Sequence, residues 1–563
     1  MNWKNMFHNE VFGENVFIIG PEDDPRLVQE VLYELCKEQK ADHFSKNRFS
    51  IFFMPGTYDY VNINVGFFTQ VGGLGLLPTD TKLKKITCVP KYRPDGSIND
   101  GLANFWRCVE NVEIMEDTLW AVSQASPMRR VSIQKNLYLH QNGGYTSGGF
   151  LCDSRVNGIT DHGSQQQWFT RNCCLDHIST YGWNQVFMGT EFKHPPKGQW
   201  PEVPVTCLDT VPYIQDKPFL IWDKDEGFCI FVPKMRVRSR GISWDKTPEG
   251  KKIPLKDCYV AQPEKDTPAS MNNALAKGLH LILTPGIYAL DQPLHVTCPD
   301  TVILGLGLAT LTPAQGNPCI VTDNAAGIIL AGLLADAGHR VSDDLMVIGD
   351  SSKPLAKPAV LSDIFFRIGG FPSSAPSKTV NALKINASHV IGDNLWIWRA
   401  DHYDQVGWDK NTADTGMIVN GGHVYMYALM VEHFLKYQTL WNGEDGHIYM
   451  YQGELPYDVP DQSQWMSEHG TQNGYASLKV ADHVQNFESW GVGVYSYHRD
   501  APVMCGLGVK VPDRENVVLH HTFTRFLNGH TGIQHVINTS GECVNTDHRQ
   551  ANIIKYKNGV VYN

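Results

Sequence analysis

The fold is decided by residues 431–457, VEHFLKYQTLWNGEDGHIYMYQGELPY. Apolar and aromatic runs of strand character lie beside Glu432 and beside Glu454, and Asn442-Gly443 and Asp445-Gly446 predict turns between them. The two glutamates are 22 residues apart, the length of one coil of a parallel β-helix. Strands in successive coils pair at about 4.8 Å. We therefore expect both carboxylates on one face of one sheet.

An internal duplication predicts two such solenoids in tandem. Near the N-terminus, PRLVQEVLYELCKEQK leads into SIFFMPGTY and VGGLGLLPTDT, and near residue 270, SMNNALAKG leads into LILTPGIY and ILGLGLATLTP. The helix-like stretches would cap the open ends of the solenoids. This order is typical of pectin-lyase-like folds. We predict an all-β chain of two tandem right-handed parallel β-helices with short capping helices, divided into residues 1–235, a linker at 236–254, and residues 255–563.

Composition limits the partners of the chain. With 563 residues, a net charge of −11 and no Lys/Arg block, nucleic acid is not expected, and a neutral ligand such as a sugar is compatible. The longest apolar run is too short to span a bilayer, so no membrane is expected either. Thirteen cysteines without a C-x-x-C pair, and no apolar leader, predict a cytoplasmic protein, or a secreted one if a signal peptide was removed. We expect a monomer.

The glutamate pair is the first candidate for chemistry. Two carboxylates this close cannot both stay ionised easily, so one acquires a raised pKa and can act as a general acid. The alternative is that Glu432 caps a turn or pairs with Lys436 while Glu454 faces solvent. No zinc, EF-hand, Walker or G-x-S-x-G motif is present, so no metal or cofactor is expected.

Two further stretches could bind a sugar. WIWRADH, residues 396–402, combines a stacking face with hydrogen-bonding groups, although Arg399 and Asp401 could merely neutralise each other. In SQQQW, residues 164–168, Gln165 and Gln167 share one side of a strand and could hold a hydroxyl or a water, although glutamine ladders are also common as structural elements in solenoids.

Taken together, WRADH, NTADTG, VEHFLKYQTLWNG, YQGELPYD, GYASLKVAD and SQQQWF resemble glycoside hydrolase family 55 over nearly the whole chain. These are exo-β-1,3-glucanases (laminarinases) built from two tandem β-helices. The resemblance implies an inverting enzyme that releases glucose from the non-reducing end of a β-1,3-linked glucan or oligosaccharide. It makes Glu454 the general acid and Glu432 an accompanying carboxylate.

The same resemblance implies roles for the surrounding residues. Gln165 and Gln167 of the first half would place the attacking water. The substrate-binding candidates are Trp398 and Tyr457 for stacking, Asp401 for hydroxyls, and Arg399, His402 and Trp441 from the same motifs. The family also uses a serine of the first half, but at 183–190, where we expect it, this chain has Met188 and no serine.

Other functions fit a β-helix. A polysaccharide lyase would need a cation or several basic residues to neutralise a uronate, and beyond Arg399 the candidate site is acidic. A non-catalytic carbohydrate-binding solenoid would be indifferent to Glu454→Gln. A glycosidase for another linkage would share the scaffold.

Overall fold

The computed structural model describes residue 3 and residues 6–40, 43–89 and 100–562, and it is built almost entirely of strands. The α-helices of the described residues are α1 (Pro25–Gln39), which lies within its predicted capping stretch, and α2 (Pro268–Ala276), which begins two residues before its predicted stretch. Asp24 caps α1 and Thr267 caps α2, and each helix begins at a proline, whose missing N–H needs no partner there. Short capping helices are thus confirmed.

The strands of the first solenoid are β1 (His8–Asn9), β2 (Gly13–Ile19), β3 (Phe49–Phe53), β4 (Gly56–Asn64), β5 (Thr69–Gly73), β6 (Thr81–Cys88), β7 (Arg107–Ile114), β8 (Thr118–Trp120), β9 (Met128–Ile133), β10 (Leu137–Tyr138), β11 (Phe150–Cys152), β12 (Arg155–Asp161), β13 (Gln167–Arg171), β14 (Cys174–Thr180), β15 (Asn184–Met188), β16 (Glu191–Phe192) and β17 (Val205–Leu208). From β3 to β17, each strand pairs in parallel with the strand two places further along. This pairing is that of a coiled solenoid.

Five strands follow: β18 (Val211–Ile214), β19 (Phe219–Asp223), β20 (Gly227–Pro233), β21 (Arg236–Ser239) and β22 (Gly250–Pro254). They pair antiparallel, β18 with β21 and β20 with both β19 and β22. The stretch 236–254, predicted to be a linker, therefore contains two paired strands. The division of the chain into domains stays a prediction.

The strands of the second solenoid are β23 (Cys258–Ala261), β24 (His280–Leu283), β25 (Ile287–Leu290), β26 (Leu294–Val296), β27 (Val302–Pro313), β28 (Ile320–Thr322), β29 (Ile329–Asp336), β30 (Ser342–Ile348), β31 (Pro354–Ile368), β32 (Thr379–Ile385), β33 (Ser388–Arg399), β34 (Thr415–Val419), β35 (Val424–Glu432), β36 (Thr439–Trp441), β37 (Gly446–Glu454), β38 (Met466–Ser467), β39 (Gln472–Asn473), β40 (Leu478–Val480), β41 (Asn486–His498), β42 (Cys505–Lys510), β43 (Asn516–Gly529), β44 (Ile533–Ile537), β45 (Gln550–Lys557) and β46 (Val560–Tyr562). Two long sheets result. One runs from β23 through β33, β35, β37 and β41 to β43 and is closed by antiparallel β45 and β46, and the other runs from β26 to β44.

A column of left-handed residues bends the longer sheet. One residue is left out of the pairing at the same position of seven successive strands, and each has a positive φ: Gly332, Asp363, Asn394, Ala428, Met450, Gly491 and His521. The ends of β33, β35 and β37 follow this break in the pairing. These ends carry the candidate site.

Apolar cores fill each solenoid and also the space between the two. The core between them brings Phe105 and Trp106 of the first half against Trp396 and Trp398 of the second. Burying one large apolar side chain contributes roughly 1.5–3 kcal/mol, so this core fixes the halves to one another. Among the described residues, no helix is long and apolar enough to cross a membrane.

Candidate active site

The register of the second solenoid brings the two glutamates together as predicted. β35 and β37 pair so that Glu432 lies directly beside Glu454, and Trp398 of β33 lies beside Glu432 on the other side. Three successive coils therefore present Trp398, Glu432 and Glu454 as a row.

This row borders a cavity of about 290 Å³ between the two halves. The second half supplies Trp396, Trp398, Asp401, His402, Glu432, His433, Glu454, Tyr457 and Leu527, and the first half supplies Asp100, Leu102, Ala103, Phe105, Gln124, Ser147 and Gln166. The cavity is therefore shared: the second half supplies Asp401 and both glutamates, and the first half supplies Asp100 together with amide and hydroxyl groups.

Glu432 is buried and held at both oxygens. Oε1 accepts a hydrogen bond from Gln124 Nε2 at 2.9 Å, and Oε2 accepts one from Trp396 Nε1 at 2.9 Å. Burial, followed by the charge of neighbouring Glu454, raises the pKa of Glu432 well above its ordinary value. The pair consequently keeps one proton at a pH where isolated carboxyls have lost theirs.

Glu454 has different hydrogen-bond partners from Glu432. Gln452 Nε2 donates to Oε1 at 2.7 Å, and the hydroxyl of Tyr457 donates to Oε2. Gln124 Nε2 also reaches Gln452 Oε1 at 2.9 Å, so one hydrogen-bonded chain links the two glutamates through two glutamines. Burial, and then the charge of Glu454, raises the pKa of Tyr457 well above its ordinary value, which keeps this hydroxyl neutral.

The aromatic and polar side of the cavity comes from the predicted stretch 396–402. Trp396 and Trp398 stack with centroids 5.0 Å apart. Asp401 accepts from His402 Nδ1 at 2.9 Å. Burial alone would raise the pKa of Asp401, but this hydrogen bond and the nearby imidazole of His433 lower it below its ordinary value. Asp401 is therefore a carboxylate that can accept hydrogen bonds from hydroxyl groups.

Two predicted substrate-binding residues do not reach the cavity. Arg399 is buried, and all its N–H groups are occupied by Asp458 and by the carbonyls of Asn411, His433 and Gly407. Trp441 lies in the core of the second solenoid and donates to the carbonyl of Gly443. Neither side chain belongs to the cavity lining, so the structure gives no support to their assignment to substrate binding. Arg399 instead braces the loop that follows Glu454.

The glutamine stretch of the first half meets the cavity at a different residue from those predicted. Gln165 Nε2 donates to the carbonyls of Val122 and Leu139, and Gln165 Oε1 accepts from the N–H of Gly148. All these partners lie within the first solenoid. Gln167 is fully buried and donates to the carbonyl of Ser147. Because side chains alternate along an extended chain, Gln166 between them is the one that borders the cavity.

Several residues of the site were not predicted from the sequence: Gln124, Ser147, Gln166, Trp396 and His433 border the cavity, and Gln452 lies behind it and donates to Glu454. Ser147 Oγ donates to Gln124 Oε1 at 2.9 Å, so a serine does border the site, but it precedes β11 and is not at 183–190. Trp396, Gln452 and His433 lay within the quoted motifs and could have been inferred from strand alternation. Gln124 and Ser147 carry no motif of their own.

Comparison with known proteins agrees with this geometry. Residues 258–454 match a family model described as the LAM55 pectate lyase-like domain. An exo-beta-1,3-glucanase from Streptomyces sp. (strain SirexAA-E / ActE) is 38% identical over 544 residues, which is 95% of this chain and 88% of that protein.

Solved structures agree as well. The structure of sacteLam55A from Streptomyces sp. SirexAA-E, at 37% identity, superimposes with a TM-score of 0.92 over 97% of this chain and 98% of its own. A glucose complex of a variant of the same protein gives the same values. The tandem β-helix fold is thereby confirmed.

Proposed function

Because this chain belongs to glycoside hydrolase family 55, the family of exo-β-1,3-glucanases, we propose that its cavity releases glucose from the non-reducing end of β-1,3-linked glucans by inversion, with Glu454 as general acid. The chain is a glycoside hydrolase acting on β-1,3-glucan. The observation that carries the mechanistic proposal is the register pair Glu432–Glu454 in the lining of a cavity shared by both halves.

Glu454 suits the role of acid better than Glu432. Both carboxyls have a partner at each oxygen, but the partners differ. Glu432 accepts from the N–H groups of Gln124 and Trp396, whereas Oε2 of Glu454 contacts the hydroxyl of Tyr457, which itself borders the cavity. A hydroxyl can accept from a protonated carboxyl and donate to a carboxylate. Tyr457 therefore fits Glu454 before and after it gives its proton to the glycosidic oxygen.

The first half supplies the place for the attacking water. Ser147, Gln124 and Gln166 border the cavity, and Ser147 Oγ donates to Gln124, which donates to Glu432. Glu432, which itself borders the cavity, takes up the proton that this water releases. Glu454 loses one proton and Glu432 gains one, so the pair holds the same number after each turnover.

Incubation with laminarioligosaccharides tests the proposal, with the anomer of the first product followed by NMR. We expect α-glucose, released one residue at a time, and a fall in kcat of about 10²-fold or more in Glu454→Gln. Glu264→Gln, an exposed glutamate far along the chain, is the matched control and should keep wild-type kcat. Initial β-glucose would contradict inversion, and unchanged kcat in Glu454→Gln would contradict its role as acid.

We further propose that the chain works as a monomer, without nucleic-acid or membrane partners. The net charge of −11 supports this, and so does the completeness of the cavity within one chain. Its compartment, cytoplasmic or secreted, stays a prediction. Light scattering at the working concentration measures the oligomeric state.

A further inference from the structure

A second group of metal-ligating side chains lies on the surface of the first solenoid. Asp176 and His177 are in β14, and His194 lies two residues after the end of β16, one coil further on. One ligand atom from each of the three lies within 4.8 Å of the others, and this is the one such group found in the described part of the chain. None of the three borders the cavity that carries the glutamates.

The backbone holds this group in place. β14 and β16 pair in parallel, with Cys174 beside Glu191 and Leu175 beside Phe192. The ladder continues past β16, because the N–H of His194 donates to the carbonyl of Asp176 at 2.8 Å. Asp176 and His194 are therefore fixed side by side by main-chain hydrogen bonds, whatever their side chains do.

The side chains already converge. His194 Nδ1 lies 2.8 Å from Asp176 Oδ1, and His177 Nδ1 lies 4.0 Å from Asp176 Oδ2. The two imidazole rings have centroids 6.0 Å apart and are nearly perpendicular. Both histidines are substantially exposed, so a rotation about their side-chain bonds could bring two nitrogens and one carboxylate oxygen to a common ion without moving the backbone.

We propose that Asp176, His177 and His194 bind one divalent transition-metal ion of the Zn²⁺ class. Two imidazoles and one carboxylate are a set that zinc accepts, with water at the fourth position. Imidazole nitrogen suits zinc, copper and nickel, whereas magnesium and calcium prefer oxygen. The ion would join two successive coils at an exposed edge of the first solenoid, a structural role that is independent of hydrolysis.

One neighbour competes with the ion. Lys193 Nζ lies 3.9 Å from Asp176 Oδ1. The lysine side chain is largely exposed and can turn into solvent when the metal binds. Lys193→Ala is therefore expected to strengthen zinc binding. Zinc bound by exposed histidines without Asp176 would not respond to this substitution.

Calorimetric titration of the full chain with zinc, any purification tag removed, tests the proposal. We expect one binding event per chain, at least about tenfold weaker in His177→Ala and in His194→Ala, and unchanged in His339→Ala, an exposed histidine of the second solenoid. Magnesium should give no event. His194 and His339 are exposed and His177 is partly exposed, so these variants should fold normally.

Thermal unfolding gives a second readout. Binding to the native state raises the unfolding midpoint, so zinc should raise it in wild type and His339→Ala but not in His194→Ala. Equal zinc affinity in wild type and both cluster variants would place the ion at two-group sites such as His295–Asp323 and overturn the proposal. Absence of any zinc-dependent shift in wild type would overturn it too.

Discussion

Glu432 joins the two halves of the molecule through one carboxyl group, with Gln124 on one oxygen and Trp396 on the other. Its folded-state pKa lies well above the ordinary value of 4.5 because it is buried beside Glu454. A carboxyl group whose pKa is higher in the folded than in the unfolded chain stabilises the folded state fully at pH values below its unfolded-state pKa. This stabilisation is lost as the pH rises through the folded-state pKa. A glutamine at this position does not titrate, so it adds no pH dependence to the stability of the folded chain.

We therefore predict that Glu432→Gln gains stability relative to wild type as pH rises from about 4.5 through the folded pKa of Glu432. The measurement is the difference in unfolding midpoint between the two proteins at about pH 5 and about pH 8. A difference that grows in favour of the variant is expected. A constant difference would mean that Glu432 carries no raised pKa in the folded chain.

Substitution of Gln165 should affect stability, whereas substitution of Gln124 should affect catalysis. Gln165→Ala leaves the buried carbonyls of Val122 and Leu139 without their amide donor, and unpaired buried groups cost about 1–3 kcal/mol. We predict that it lowers the free energy of unfolding and leaves kcat of the folded enzyme nearly unchanged. Gln124→Ala removes the link between Glu432 and Gln452 and should lower kcat by about tenfold or more.

Denaturant unfolding and kinetics on laminaritriose separate the two effects. Gln134→Ala, an exposed glutamine of the same solenoid, is the control for both measurements. If Gln165→Ala abolished kcat while its unfolding free energy stayed at the wild-type level, the original assignment of Gln165 to the water site would be right.

The sequence located the paired glutamates of the second half, but on the first half it did not identify Gln124 and Ser147. Glu432 and Glu454 are one coil apart, so their spacing alone predicts their contact. Gln124 meets Glu432 across 308 residues, and no local periodicity relates residues on two different solenoids. The position of Arg399 outside the cavity could not be predicted for a similar reason: its N–H groups donate to carbonyls that only the folded chain brings near it.

At the scale of the strands, buried ion pairs connect the solenoids. Asp393 of β33 accepts from Arg129 of β9 at 2.6 Å and from Arg171 of β13 at 2.8 Å, and all three are buried. Removing one partner of a buried ion pair leaves the remaining charges buried without compensation, which lowers the free energy of unfolding by about 3–5 kcal/mol. Asp393 therefore aligns the two solenoids as well as joining them.

We predict that Asp393→Ala lowers the free energy of unfolding by about 3–5 kcal/mol, measured by guanidinium titration. Glu249→Ala removes the exposed pair with Lys234 and should change it by about 0–1 kcal/mol. Equal effects of the two substitutions would show that the interface tolerates uncompensated charge, for instance by admitting water.

Strand order and caps followed from the repeated sequence pattern, but the bend of the long sheet did not. The left-handed column contains Asp, Asn, Ala, Met and His as well as two glycines. Glycine is the residue that most readily adopts a positive φ, and Ala428 and Met450 give no sequence signal for it at all. Interstrand packing imposes the conformation there, and it directs the ends of β33, β35 and β37 to the cavity.

At the scale of the molecule, neither half can complete the site. Residues 255–563 contain both glutamates and the stacking tryptophans, yet Gln124, Ser147 and Gln166 come from the first half. The core between the halves would also lie open, exposing Trp396, Trp398 and their neighbours to water. Exposed apolar surface of this kind promotes association.

We predict that residues 255–563, expressed alone, show no detectable release of glucose from laminaritriose and associate in solution. Coexpression with residues 1–254 should restore both a soluble complex and activity, because the interface is formed by packing and ion pairs and not by the connecting backbone. Light scattering and product chromatography on the fragment, the complex and the intact chain are the measurements. Activity of 255–563 alone, above that of its own Glu454→Gln variant, would mean that the water is activated entirely within the second solenoid, and the role proposed for the first half would then be structural.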